Sequence, residues 1–543
     1  MSDEQGECDI CQKPASQKCG ACHNVFYCCK EHQKSGWKKH KKVCRPFKCN
    51  MLKLKAEVHN DDNLGRHLRA TKDIKPGEVV LQESPLIWGP AQVTVPVCLG
   101  CGNAVTEKNS RPCNKCGWPV CSETCEKAPG HIPECRYTVL RGDRVSLKNF
   151  GVIHPLYQCI TVLRCLYQKQ FLPEVWKKLD VLQSHCEERK NTHKYEQDRV
   201  TIAQFILKFF KLNNVFTEEE ILRVSGIVMI NSHEVPLTEP PHVAIYESTS
   251  MFEHDCSANC TKSFTNKGGL VIAAGKHIRK GDHLSICYTD PLWGTPNRRH
   301  HLYQSKFFWC SCKRCLDTTE FGTLFSALKC QSSPCNGYLL PNTFIENNNN
   351  EKGCDWACTK CPNIFSAYAV QDLVERIGKD LADMPKGVSK DCKQFMKENE
   401  QFLHPNHFYL TDVKFALSQL IGQEKPGGLP GVSDEDLELK ARLCQGLVNL
   451  FRILIPGESR VRGLLLFELH ASMAEIGRRR DDPAELHTLL LESKSILQEA
   501  VDLLKHEPDS LPEGKIYKQA VVNLKELEFV LRTVHKTIGD SPM

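Results

Sequence analysis

Thiols at fixed spacing constrain this chain more than any other feature. It opens with Cys8-x2-Cys11-x7-Cys19-x2-Cys22-x5-Cys28-x3-His32-x7-His40-x3-Cys44. Eight donors arranged in short pairs suffice for two tetrahedral zinc sites. Cys28 and His32 stand four residues apart, as do His40 and Cys44, in "YCCKEHQKSGWKKHKKVC". That stretch reads as helical, which puts each pair on one face, one turn apart. A cross-brace follows: Cys8, Cys11, Cys28 and His32 on one zinc, Cys19, Cys22, His40 and Cys44 on the other. The design recurs about ninety residues later as Cys98-x2-Cys101-x11-Cys113-x2-Cys116-x4-Cys121-x3-Cys125-x5-His131-x3-Cys135, an internal duplication.

Two further groups complete the set. "WCSCKRC" supplies Cys310, Cys312 and Cys315, one thiolate short of a tetrahedral site. The fourth is expected from "MFEHDCSANCTKSF", as Cys256. The other readings of Cys256 are a nucleophile beside His254 and a plain core thiol. Cys330-x4-Cys335 and Cys358-x2-Cys361 form two knuckles that read as a zinc ribbon. About six zinc ions are expected in all. Sites closed by four protein donors are structural and imply no catalysis by the metal.

The rest of the composition supports this reading. The chain carries 31 cysteines in 543 residues. "MSDEQGECDICQK" lacks an apolar export segment and no apolar run is long enough to span a membrane, so reduced thiols in the cytoplasm or nucleus are expected. A net charge of +6 is small over this length and does not argue for nucleic acid. The lysines of "KSGWKKHKKVC" are expected on the solvent face of a zinc-pinned helix, and no helix has base-reading finger spacing.

Between the thiols, "DIKPGEVV" reads as a turn feeding a strand, and "GIVMINSHEV", "GLVIAAGKHI" and "DHLSICY" read as strands. Residues 138–225 look helical. From about residue 368 the apolar residues recur at three- and four-residue intervals, as in "DEDLELKARLCQGLVNLFRILI", and resemble a TPR-like helical array.

The cysteine spacings, with the Gln-x3-Trp-x2-His-x3-Cys tail of the first cluster, resemble the MYND zinc finger. Together with "GRHL…IKPGEVV", "EHDCSANC", "KGDHLSICYTD" and "CSCKRC" in that order, they resemble the SET-and-MYND (SMYD) family. The leading extra finger and "LHPNHFYL" resemble its arthropod SmydA-like branch. The resemblance implies an α+β multidomain fold. A MYND finger at 1–46 precedes a β-rich split SET domain at 47–292, with a second finger inserted at 93–137 and a helical insertion at 138–225. A post-SET zinc cluster (293–318), a zinc-ribbon-like segment (319–367) and a C-terminal helical TPR-like domain (368–543) follow.

The implied chemistry is methyl transfer from S-adenosylmethionine to a lysine side chain of a protein. It needs positioning and desolvation rather than a nucleophilic side chain or open metal. Tyr288 matches the family's catalytic tyrosine, which also borders the cofactor. Gly65, Asn231, His254 and Phe308 match cofactor contacts. The MYND fingers imply peptide ligands, proline-rich ones among them, and the family implies a monomer. Four positions depart from the pattern. Glu253 stands where the family has an asparagine, and a carboxylate cannot donate as an amide does. His67 replaces the second glycine of a "GxG" turn. Asp255 and Ala258 replace a serine and a proline. The competing reading is therefore a degenerate SET scaffold that acts as a protein-binding adaptor.

Overall fold

The computed structural model describes residues 6–15, 17–18, 25–43, 55–61, 64–345, 354–424 and 426–539. The chain divides into two compact units. One comprises Met1–Leu54, Leu81–Met251 and Phe264–Val271, the other Lys55–Val80, Phe252–Ser263 and Ile272–Met543.

In the first unit, the N-terminal finger has two short antiparallel pairs, Gly6–Glu7 with Pro14–Ala15 and Gln17–Lys18 with Phe26–Tyr27, followed by the helix Lys30–Val43. The second finger repeats the plan with the pair Arg111–Pro112 and Pro119–Val120, then the helices Glu123–Glu126 and Ile132–Arg141. A three-stranded antiparallel sheet runs Ser232–Val235, His242–Ile245, Ile87–Pro90, with Ser232 opposite Ile245 and Ala244 opposite Trp88. Its core includes Trp118, Tyr157, Leu163, Ile206 and Ile221.

One strand assignment fails here. "GIVMIN" lies in the helix Glu218–Asn231, and the strand begins only at Ser232. The helix starts at a capping box, in which the Thr217 hydroxyl accepts from the Glu220 amide while the Glu220 carboxylate accepts from the Thr217 amide. Once started it continues through β-branched residues, because the intrinsic penalty for isoleucine and valine is small beside the burial of Ile221, Val224 and Ile227.

The second unit begins with the hairpin Ala56–Asp61/Gly65–Ala70, in which His59 faces His67. Glu253–His254 pairs in parallel with Ser285–Ile286. "DHLSICY" is thus a strand only over Ser285–Ile286. The zinc-ribbon-like segment is a four-stranded sheet in chain order: Leu328–Lys329, Tyr338–Pro341, Trp356–Cys358, Ile364–Phe365. Helices from Ala367 to Gly539 fill the rest, the longest being Asp434–Leu454, Pro483–Leu504 and Pro512–Gly539. A Cβ on Gly457 would lie 2.6 Å from the Ala258 carbonyl oxygen, so this glycine lets the turn between two of these helices lie against the "EHDCSAN" loop. Among the described residues no helix is long and apolar enough to cross a membrane.

The helical part buries uncharged imidazoles. Burial holds His404 and His470 down at about 4 and His407 at about 3. The unfolded chain, with histidines near 6.5, therefore binds more protons at mildly acidic pH, and stability falls as pH drops from about 6.5 toward those values. Each proton taken up is worth ~1.4 kcal/mol per pH unit. The melting temperature is expected to fall between pH 6.5 and 5, with a shallower slope in His407→Gln. An identical slope in the variant would count against this account.

Candidate active site and metal centres

Five groups of four donors form, each with its ligand atoms within 4.8 Å of one another. They are Cys8, Cys11, Cys28 and His32; Cys98, Cys101, Cys121 and Cys125; Cys113, Cys116, His131 and Cys135; Cys256, Cys310, Cys312 and Cys315; and Cys330, Cys335, Cys358 and Cys361. Thiolate and imidazole in fours are the donor set of a closed zinc site, so each group could hold zinc. Of the sixth expected set, Cys19, Cys22 and Cys44 lie outside the described residues. Its His40 is buried, edge-on to Tyr27 and Trp37.

The geometry corrects one detail. Cys28 precedes the helix Lys30–Val43 rather than sharing its face, and Cys121 likewise precedes Glu123–Glu126. Each leads into its helix from the turn before it. In the inserted finger, His131 Nδ1 meets Glu134 Oε1 at 3.2 Å, leaving Nε2 toward Cys116 at 3.4 Å. Glu134 is fully buried and accepts from Arg164 Nε at 3.0 Å and Nη2 at 2.8 Å. Burial alone would raise its carboxyl, but the Arg164 guanidinium and His131 hold it down. This outer layer fixes the orientation of the histidine ligand.

At the fourth group the metal ligands and the candidate active site merge. The parallel pairing of Glu253–His254 with Ser285–Ile286 sets His254 beside the residues that follow Ile286. The Tyr288 amide donates to His254 Nδ1 at 3.0 Å. That assigns the imidazole proton to Nε2, which donates to Cys256 Sγ at 3.3 Å. An N–H already pointed at the sulfur cannot take a proton from it, so the nucleophile reading of Cys256 loses its base. Hydrogen bonds from the partner thiols Cys310, Cys312 and Cys315 pull the Cys256 thiol strongly down. The neighbouring Cys260 stands apart from the group, and burial pushes its thiol up to about 12.

Around His254 the aromatic residues gather. The Tyr288 ring lies 5.4 Å from it and the Phe308 ring 5.8 Å. The Tyr288 hydroxyl donates to the Phe252 carbonyl. Burial raises its ionisation, so the phenol stays protonated. Gly65 takes φ +62 with open space where a Cβ would project.

Two of the departures from the family pattern, Glu253 and His67, meet at His283. Glu253 Oε2 bonds His283 Nδ1 at 3.0 Å. The His67 ring stacks on His283 at 4.7 Å and 8°. It is 1% exposed, with Nδ1 donating to the Gly65 carbonyl at 3.1 Å and Nε2 accepting from Arg69 Nε at 3.2 Å. The added bulk at His67 is thus folded onto His283, and the space beside Gly65 stays open. No sequence signal marked His283, since its partners lie 30 and more residues away. Asn231 belongs to the other unit, where its side-chain amide donates to the Gln183 and Ile227 carbonyls, each at 2.8 Å.

A MYND finger family model matches residues 8–44 and a SET domain model residues 65–289. The SET domain-containing protein SmydA-8, isoform A, of Drosophila melanogaster is 26% identical over 355 residues, covering 62% of this chain and 74% of the relative. The histone-lysine N-methyltransferase ASHR1 of Arabidopsis thaliana is 25% identical over 62% of this chain and 70% of its own length. The histone-lysine N-methyltransferase SMYD3 of Mus musculus is 27% identical over 49% and 62%. A solved structure of Rubisco LSMT bound to AdoMet aligns over 94% of this chain and 97% of that one at 13% identity, with a TM-score of 0.29, too low to bear on the fold. A MYND match ahead of a SET match, thiols grouped in fours, and SmydA-8 among the relatives make this chain similar to proteins that combine a MYND finger with a SET domain.

Proposed function

We propose that this protein is a protein-lysine methyltransferase that uses S-adenosylmethionine. The observation that carries the reading is Tyr288, fixed at both ends by the Phe252 carbonyl and His254 Nδ1 within the segment matched by the SET model. Its hydroxyl spends its proton on Phe252, which leaves the oxygen lone pairs free to accept from an incoming amine and aim that amine's own lone pair. S-adenosylmethionine supplies an electrophilic methyl on a sulfonium. Gly65 offers bare backbone for it, and His254 and Phe308 offer ring faces. Glu253 offers a carboxylate oriented by His283, which suits a cationic group on the cofactor.

The acceptor is a lysine of a protein, and histones are what the names of several relatives print. The clusters bind zinc, about six ions with the set containing His40, and the fingers recruit proline-rich peptides. The protein works as a monomer in the cytoplasm or nucleus. Isothermal titration of the zinc-loaded protein with S-adenosylmethionine tests the reading, and micromolar binding is expected. No binding at millimolar cofactor, with metal content and fold intact, would overturn it in favour of the adaptor.

A further inference from the structure

The helix Thr295–Lys306 ends where Phe307 adopts φ +62, a left-handed turn that an aromatic residue rarely takes. The turn leaves Lys306 half-buried, with Nζ 5.8 Å from the centroid of the Tyr288 ring. The phenol offered above as the guide for an acceptor amine therefore already has an amine of this same chain at its face. An arginine, methionine or leucine would also fill the space, but none of them can serve as a primary-amine nucleophile.

We propose that Lys306 is itself a methyl acceptor, modified in cis at the site organised by Tyr288. The proposal rests on the methyltransferase reading. In the step, the Nζ lone pair forms the new N–C bond to the methyl carbon. The S–C bond breaks, its electron pair stays on sulfur, and the sulfonium becomes a neutral thioether. The proton then on the methylated ammonium passes to water. Reactivity requires the free amine. Burial, with the positive charge of Lys262 adding to it, pushes Lys306 down to about 8. Near pH 8 about half the molecules then carry the nucleophilic form, against under ~1% for an ordinary lysine near 10.4.

The full-length, zinc-loaded protein would be incubated with S-adenosylmethionine bearing a deuterated methyl group and mapped by peptide mass spectrometry. Labelled methyl on Lys306 is expected, at a fraction per minute unchanged by tenfold dilution, and absent from Lys306→Arg. Three results would overturn the proposal. One is cofactor binding with Lys306 unmodified. Another is Lys306 labelling whose rate falls in proportion on dilution, which means one molecule modifies another. The third is a failure to bind the cofactor, which removes the methyltransferase reading as well and is separable by the titration above. Site mapping and dilution use the unaltered chain, so the result stands even if the variant folds poorly.

Discussion

Glu320→Ala is expected to destabilise the C-terminal unit by about 3–5 kcal/mol, the usual cost of stripping the counter-charge from a buried ion pair. Glu320, Arg298 and Arg314 are each 0% exposed. Glu320 Oε2 accepts from Arg314 Nε at 2.8 Å and Arg298 Nη2 at 3.2 Å, and Oε1 accepts from Ser326 at 2.6 Å. Burial alone would raise the carboxyl, but the two guanidiniums hold it low. Glu320 also takes φ +48, a left-handed conformation that costs a non-glycine residue ~1–2 kcal/mol. Alanine would keep that strain and lose the charge. The melting temperature should drop on the order of 10 °C. Glu320→Gln should fall between, since it keeps an acceptor for one guanidinium. A drop of under ~1 kcal/mol in the alanine variant would show that water or a neighbouring group replaces the carboxylate.

Cys256→Ser should remove one metal equivalent and weaken cofactor binding by at least ~100-fold. A structural zinc contributes on the order of 10–16 kcal/mol in small metal-nucleated modules. Here three ligands lie within Cys310–Cys315, and Cys256 comes from a loop 54 residues before them. Serine breaks that tie. It also removes the sulfur that orients His254, and with it the brace on the Tyr288 amide. Arg314 Nη1, which reaches the Cys256 carbonyl at 3.3 Å, links this group to the Glu320 cluster. Cys260→Ser is the control, because that buried thiol ligates nothing in the group. Unchanged metal content in Cys256→Ser would remove Cys256 from the ligand set. An equal loss of cofactor affinity in Cys260→Ser would point to general loosening of the loop instead.

The grouping of the thiols was legible because the spacing of such donors is local: a Cys-x2-Cys turn and a four-residue step report themselves in any sequence. Cys256 emerged by arithmetic, from three thiolates lacking a fourth. The helix through "GIVMIN" was not legible, since apolar runs of that length fit either element and burial decided between them. Nor were Glu134 with Arg164, Glu320 with Arg298 and Arg314, or His67 on His283. A charged pair joined only by the fold leaves no periodicity to read. The departures at Glu253 and His67 looked like two separate lesions in sequence, and they share one partner in space.

The division of the chain has a consequence for its synthesis. The second unit takes only two short pieces from the first half, Lys55–Val80 and Phe252–Ser263, and they carry Gly65, His254 and Cys256. A ribosome delivers Gly65 about 250 residues before Cys315, which at ~5–20 residues per second is a wait on the order of 10–50 s. For the last few seconds of it Cys256 is a thiol without the three other members of its group, open to oxidation or to capture by a metal. Zinc supply during that interval is expected to affect how much of the chain folds with this group assembled. Fragments that begin after residue 271 lack the two short pieces altogether, so they cannot report on the site.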